Sequence, residues 1–341
     1  MRIGIANDNA MAAEALRRVV SASGTHRVAW IARNGLDAVR LCVDLPPDLV
    51  LMDLNMPQLD GVEATRQIMQ RAPCAILVVT AAPQDNVNGV FRALGAGALD
   101  VTATPVLLGQ PGGEAALLAK IRTMGKLIGN SKAIQGEGDA PARTPGAAEA
   151  DPIHHLVAIG ASTGGPVALS RILSRWQPPA DTAVVVVQHI DAAFADQMAK
   201  WLGDQIPVPV RAIADGDAPE GGMVHLARTN DHLYLTPGGH FCYDSHPRDE
   251  IYRPSIDVFF RSVSLHWEKP ATGVLLTGMG RDGALGLLAL RRAGKTTIAQ
   301  DEASSAVYGM PKAAAELGAA EKILALDSIS HALLGKMSGL A

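Results

Sequence analysis

Short, largely apolar runs recur along this chain, most of them stopping at a polar or small residue. In the first third they are Ile3–Ala6, Val28–Ile31, Leu49–Met52, Ala75–Val79 and Leu99–Val101. Runs this short are strands buried on both faces rather than helices. Between them lie amphipathic stretches with helical spacing: Ala12–Val20, Leu36–Val43, Val62–Gln70, Val87–Leu94 and Glu114–Ile121. Parallel neighbours need a long crossover, and a helix supplies it. The alternation therefore predicts an α/β fold, a doubly wound parallel sheet of flavodoxin-like type over residues 1–125.

Residues 126–152 lose the apolar period and are dominated by Gly, Ala, Pro, Glu and Ser, the composition of a flexible linker. From 153 to 341 a second doubly wound α/β pattern begins. It carries an insertion, about Gly221–Tyr243, in which Met223–Leu226 and His232–Leu235 are separated by turn residues. That reads as antiparallel hairpin strands at a sheet edge. Helices are expected at Ser255–Trp267 and Ala284–Arg292, and a short strand at Thr297–Ala299.

A net charge of −4 and 4% aromatic residues argue against nucleic acid as a partner. No apolar run approaches the roughly 18–20 residues of a membrane span. Cys42, Cys74 and Cys242 have no paired spacing, and the N-terminus has no signal-peptide pattern. The expectation is a cytoplasmic protein without disulfides.

Three apolar runs of the second half end in residues with chemistry. Leu156–Ala161 leads into Ser162-Thr163-Gly164-Gly165-Pro166, Ala183–Gln188 ends at His189, and Thr272–Leu276 runs into Thr277-Gly278-Met279-Gly280-Arg281-Asp282-Gly283. In an open α/β sheet such ends converge on one edge. On its own, the serine turn reads equally as a nucleophile turn, a phosphate cradle at a helix N-terminus, or a close-packed bend. It lacks a P-loop lysine and the dinucleotide glycine spacing. His189 and Asp282 tip the balance. Ser162 would attack a carbonyl, His189 would move the proton and Asp282 would orient the imidazole. Backbone N–H groups near Met279 would hold the oxyanion, with the serine turn a second source.

Other histidines read as structural. His154 and His155 adjoin the linker and are expected in solvent. His225, His232, His240 and His246 lack the pair spacing of a zinc site. Arg253 and Arg281 flank the proposed site and divide evenly between solvated surface and docking to an acidic helix.

In the first half, Asp53 closes the third apolar run, Asp8 follows the first, and Thr80 ends the fourth. Two carboxylates at one sheet edge repel unless a cation lies between them, and hard oxygen donors suit Mg²⁺. Asp53 heads Asp53-Leu54-Asn55-Met56-Pro57, with Asp60-Gly61 beyond. With Asp8, Thr80 and Gly95-Ala96…Ala98…Asp100, this segment resembles a response-regulator receiver domain. The resemblance implies phosphorylation of Asp53 by a CheA-type histidine kinase, with Mg²⁺ held by Asp8, Asp53 and the Asn55 backbone carbonyl. Two departures stand out. Asn7-Asp8 replaces the family's acidic pair, and Ala103-Thr104-Pro105 lacks the lysine that pairs with the phosphoryl group. The loss removes a charge-assisted contact.

The whole chain outside the linker resembles the CheB-type protein-glutamate methylesterase family. The likeness rests on Gly160–Pro166, Val187-Gln188-His189, Arg253-Pro254-Ser255-Ile256-Asp257, Thr277–Gly283, and Gln300-Asp301-Glu302…Gly309-Met310-Pro311-Lys312. The N-terminal half is similar to Wsp-type relatives. Membership implies Ser162, His189 and Asp282 as the triad and Met279 as an oxyanion donor. The implied substrate is a glutamate methyl ester on a methyl-accepting chemoreceptor, with receptor glutamine deamidation as a related activity. No cofactor is implied for the ester step. A non-catalytic receptor-binding protein and a nucleotide-binding protein are the competing readings. The intact Ser, His and Asp argue against the first, and the missing Walker lysine against the second.

Overall fold

The computed structural model describes residues 1–81, 86–105, 113–129, 153–248 and 250–337. The chain divides into two compact units, Met1–Ile134 and Gln135–Ala341.

The first unit runs β1 (Arg2–Ala6), α1 (Ala10–Ala22), β2 (Arg27–Ala32), α2 (Gly35–Asp44), β3 (Leu49–Met52), α3 (Gly61–Arg71), β4 (Ala75–Thr80), α4 (Val87–Gly95), β5 (Asp100–Ala103), α5 (Gly113–Gly129). Its sheet has the order β2-β1-β3-β4-β5 with every pair parallel. This is the doubly wound arrangement read from the apolar runs. Alternate strand residues Ile3, Ile5, Leu49, Leu51, Leu77 and Val79 form one buried face with Leu16, Leu117 and Ile121 from the helices. Burying each such side chain contributes about 1.5–3 kcal/mol. Asparagine starts several helices: Asn9, Asn34 and Asn86 each cap one by accepting first-turn N–H groups. Helix α5 extends through Gly129, four residues into the stretch read as linker. The remaining linker residues, 130–152, lie outside the described residues.

The second unit runs β6 (His155–Ala161), α6 (Gly165–Leu173), β7 (Thr182–Gln188), α7 (Ala192–Gln205), β8 (Val210–Ala212), β9 (Val224–Leu226), β10 (His232–Leu235), β11 (Phe241–Asp244), α8 (Ile256–His266), β12 (Ala271–Leu275), α9 (Ala284–Arg292), β13 (Thr296–Gln300), α10 (Met310–Glu316), β14 (Lys322–Leu324), α11 (Leu326–Met337). Seven strands form a parallel sheet in the order β14-β13-β12-β6-β7-β9-β8. The chain grows outward from β6 in one direction and from β12 in the other, so the order reverses between these two strands. A crevice opens at such a switch point. All seven residues of β7 are buried, as expected of a central strand covered on both faces.

The hairpin reading of the insertion holds for β10 and β11, which pair antiparallel as a separate two-stranded sheet. It fails for β9, expected in that hairpin, which joins the main sheet parallel to β7 and β8. Residue alternation between turn signals marks a strand but not its direction. His155 corrects a second expectation: it begins β6 half-buried, with Nε2 on Thr272 Oγ1 at 3.0 Å, while His154 is exposed. Among the described residues, no helix is long and apolar enough to cross a membrane.

Candidate active site

Strand register sets the first two residues of the site. Ala161 of β6 pairs with Gln188 of β7, so Ser162 and His189 are the next residues out on neighbouring strands. Parallel strands lie about 4.8 Å apart, so the two residues are adjacent by construction. The His189 N–H donates to the Ala161 carbonyl (3.0 Å), and the Ser162 N–H to the Thr277 carbonyl (3.1 Å). The Gln188 amide donates to the Ser162 carbonyl (2.9 Å) and the His189 carbonyl (3.1 Å), tying the two strand ends together.

Glycine makes the serine bend possible. Gly164 caps α6 at φ 78°, a left-handed conformation that glycine adopts without strain. Gly278 lies so close to the serine that an added Cβ would stand 2.7 Å from Ser162 Cβ and 2.3 Å from Met310 Sδ.

Asp282 follows β12 and is buried. Its Oδ2 lies 2.7 Å from His189 Nε2 and accepts the Ile256 N–H (2.7 Å). Its Oδ1 accepts the Ser255 hydroxyl (2.8 Å) and the Asp257 N–H (3.0 Å). Three of the four donors belong to Ser255 and the first two residues of α8. The helix N-terminus, with its unpaired N–H groups and partial positive charge, therefore holds this carboxylate. Burial alone pushes the Asp282 carboxyl up, but the His189 hydrogen bond and charge and the two backbone donors outweigh it and bring it below its ordinary value. The neighbouring Asp257 carboxyl is pushed up by burial and then by the Asp282 charge. A protonated Asp257 beside an ionised Asp282 avoids placing two charges in one apolar site.

With Nε2 committed to Asp282, the imidazole faces the rest of the site with Nδ1. That atom is buried and has no hydrogen-bond partner among the described residues. No hydrogen bond joins it to the Ser162 hydroxyl, which is thus adjacent to the base rather than bonded to it. The geometry leaves Nδ1 free to accept a proton and Nε2 as the held end, the reverse of the nitrogen arrangement in the familiar Ser-His-Asp template.

The Met279 N–H makes no hydrogen bond among the described residues. Its peptide plane is fixed from the other side, because the Gly278 carbonyl accepts N–H groups of Gly309 (3.1 Å) and Met310 (2.9 Å). A free N–H with a held direction is what an oxyanion needs.

Sequence reasoning assigned no role to three neighbours of this site. The Tyr252 ring stacks on His189, with centroids 4.0 Å apart and planes 9° apart. Ser255 is the α8 cap that also donates to Asp282. His232 is fully buried, accepts the Ser255 N–H at Nδ1 (3.1 Å) and meets the Pro247 carbonyl at Nε2 (2.9 Å). Burial pushes His232 below its ordinary value, which keeps Nδ1 free to accept. Ser255 stood in a recognisable motif, but nothing local marked Tyr252 or His232. Arg253 is half-buried and donates to the Arg248 carbonyl (2.7 Å), while Arg281 is exposed.

The first unit gathers its expected residues around one cavity of about 670 Å³, lined by Asp8, Asp53, Asn55, Thr80, Asn7, Asn86 and Thr104 among others. Asp53 follows β3, and its Oδ1 accepts the Leu54 N–H (2.8 Å). Gly61 is required here, since a Cβ would stand 2.0 Å from the Asp53 carbonyl oxygen. Asn7 is buried, and its Oδ1 accepts the Asn9 N–H (2.9 Å), so it shapes the loop. Lys120 pairs with Asp100 at 2.6 Å. Burial pushes the Asp53 carboxyl up to about 6; the Leu54 and Asn55 N–H groups pull the other way, and the Asp8 charge adds to the rise. Uncompensated charge between oxygen donors fits a hard cation such as Mg²⁺, which takes one or two carboxylates and keeps its waters.

The native state thus binds the Asp53 proton more tightly than the unfolded chain. The stabilisation is present below the ordinary carboxylate range and is lost as pH rises through about 6. Mg²⁺ should therefore raise the melting temperature of the first unit more at about pH 7.5 than at about pH 5, with Asp53→Asn removing the difference. Equal Mg²⁺ shifts at both pH values would contradict this.

Comparison with known proteins matches each unit to a family. The response regulator receiver domain family matches residues 3–108, and the CheB methylesterase family residues 157–333. "Protein-glutamate methylesterase/protein-glutamine glutaminase 3" of Burkholderia orbicola is 53% identical over 99% of this chain and 98% of its own length. "Protein-glutamate methylesterase/protein-glutamine glutaminase 1" of Pseudomonas fluorescens is 52% identical over 98% of each. The crystal structure of the Thermotoga maritima CheB methylesterase catalytic domain is 32% identical, covering 53% of this chain and 97% of that one at a TM-score of 0.49.

Proposed function

The chain belongs to the CheB methylesterase family and carries a response regulator receiver domain ahead of the esterase, and from that premise we propose that it is a phosphorylation-controlled serine hydrolase acting on glutamate methyl esters of methyl-accepting chemoreceptors. The receiver is assigned to residues 1–125 and the catalytic domain to 153–341. The observation that carries the esterase reading is the His189–Asp282 bond at 2.7 Å, held by the α8 N-terminus beside Ser162. The printed names of the relatives support the substrate class.

The chemistry follows from the geometry. Ser162 Oγ gives its proton to His189 Nδ1 and attacks the ester carbonyl carbon. The oxyanion accepts the Met279 N–H. Asp282 holds Nε2 and stabilises the imidazolium. As the tetrahedral species collapses, the carbon–methoxy bond breaks, and the proton on Nδ1 leaves with methanol. A water then gives a proton to the same nitrogen and attacks the glutamyl-serine ester; as the bond to Ser162 Oγ breaks, that proton returns to Oγ, and glutamate is released. A glutamine side chain runs through the same steps with ammonia as the leaving group.

Asp53 is the assigned phosphate acceptor, and a CheA-type histidine kinase the assigned donor. Asp8, Asp53 and the Asn55 carbonyl would hold Mg²⁺. Bound there, it neutralises the negative charge that accumulates around Asp53. Thr80 ends β4 and lines the same cavity, where its hydroxyl would meet the phosphoryl group. Control requires that phosphorylated Asp53 stabilise the active state of the esterase by more than the resting one. Methanol release from methylated receptor membranes tests both halves. The full chain should release methanol, faster after a small-molecule phosphodonor and Mg²⁺, and Asp53→Ala should keep only the unstimulated rate. Absence of methanol would overturn the esterase reading, and equal stimulation of Asp53→Ala the regulatory one.

A further inference from the structure

Tyr252 joins the two halves of the catalytic apparatus. One face of its ring lies on the His189 imidazole, with centroids 4.0 Å apart and planes 9° apart. Its hydroxyl donates to the Met279 carbonyl at 3.0 Å. Burial, and then the Asp282 charge, push the phenol well above its ordinary value, so it remains a donor. Gly280 permits this approach, since a Cβ there would stand 2.7 Å from the tyrosine oxygen.

These contacts act on the two groups whose direction catalysis depends on. Asp282 holds the imidazole at Nε2, but a single hydrogen bond leaves the ring free to tilt about it. A flat ring packed on its face removes that freedom and aims Nδ1. Met279 is flanked by two peptide planes. Gly309 and Met310 fix the preceding one through the Gly278 carbonyl. The Tyr252 hydroxyl fixes the following one through the Met279 carbonyl, so the oxyanion-facing N–H is clamped from both sides.

We infer that Tyr252 is a positioning residue that locks the His189 imidazole and the Met279 peptide in register with each other. This rests on the esterase reading above. Its role is preorganisation: it forms no bond with substrate but prevents misalignment, and a misplacement of about 1 Å can cost on the order of 10²-fold in rate.

The test compares Tyr252→Phe, which keeps the stack and removes the hydroxyl, with Tyr252→Leu, which removes both. Methylated receptor is the substrate, and methanol release gives kcat and KM. Tyr252→Phe should lower kcat about tenfold and Tyr252→Leu about 10²-fold, with KM within about threefold of wild type in both. The His189 ring proton resonances should keep their ring-current shift in Tyr252→Phe and lose it in Tyr252→Leu. An unaltered kcat in Tyr252→Phe, or a loss expressed only in KM, would overturn the proposal. So would a Tyr252→Leu enzyme with wild-type kcat and a displaced His189 resonance. Tyr252→Phe removes one atom from a partly exposed ring, so it keeps the question answerable if Tyr252→Leu does not fold. An inactive wild type would count against the esterase reading instead, while the His189 resonances would still report on the stack.

Discussion

Asp282→Asn should lower methanol release by about 10⁴-fold. The reason lies in the donor set around the carboxylate. Every hydrogen bond it makes is one it accepts: Oδ1 from Ser255 Oγ and Asp257 N, Oδ2 from Ile256 N and His189 Nε2. An asparagine must turn its NH₂ toward one pair or the other. Turned toward Oδ1's partners, it sets a donor against the Asp257 N–H and makes the Ser255 hydroxyl reverse from donor to acceptor. Turned toward Oδ2's, it opposes the Ile256 N–H and forces the His189 proton from Nε2 to Nδ1. An imidazole protonated at Nδ1 cannot accept the serine proton. Loss of the anion also leaves the α8 N-terminus without its counter-charge. Unpaired buried donors cost about 1–3 kcal/mol each, so the unfolding midpoint should fall as well. Steady-state methanol release, with urea denaturation alongside, checks both. A variant within about tenfold of wild-type activity would mean that the His189 tautomer is set by something else.

Gly278→Ala should have the second largest effect, and it separates placement of the nucleophile from its chemistry. The added methyl would stand 2.3 Å from Met310 Sδ and 2.7 Å from Ser162 Cβ. Met310 is fully buried at the start of α10, and its flexible side chain takes up only part of the displacement. Ser162 sits at a strand end and yields more readily. It would move away from a base that lies on the adjacent strand. The expected outcome is a fall in kcat of about 10²-fold with a stability loss of about 1–3 kcal/mol. Wild-type kcat with the same stability loss would show that the site tolerates displacement of Ser162. It would then rest on less exact placement than the register of β6 and β7 implies.

Much of this architecture was readable because the strands are central and parallel. A strand buried on both faces must be a short continuous apolar run, and Leu49–Met52, Ala183–Val187 and Val274–Leu276 are such runs. Their ends are where chemistry can emerge, so Asp53, Ser162, His189 and Asp282 could be singled out before their surroundings were known. Edge strands carry no such mark. Residues Val210–Ala212 of β8 are all half-buried, and nothing in their sequence announces a strand. Direction was equally hidden: Val224–Leu226 is fully buried, and only its neighbours, β7 and β8, show it to be parallel.

The supporting groups were illegible for a different reason. Tyr252, Ser255 and His232 reach Met279, Asp282 and Ser255 across separations of 27, 27 and 23 residues. Each is an ordinary polar residue until the fold closes. Spacing can nominate a triad, but it cannot show that a helix N-terminus holds the acid or that a tyrosine ring holds the base. Nor could it say which imidazole nitrogen faces the serine. That followed from the Asp282 bond at Nε2.

The esterase mechanism stands on Ser162 as the attacking group at the carboxyl end of β6. Methanol release from methylated receptor by the full chain and by Ser162→Ala, at matched melting temperature, tests it most directly. Ser162→Ala should lose at least about 10³-fold of the wild-type rate, leaving only what binding and the oxyanion N–H supply. A Ser162→Ala enzyme that released methanol within about tenfold of wild type would contradict it, and another nucleophile, or a directly activated water, would have to take its place.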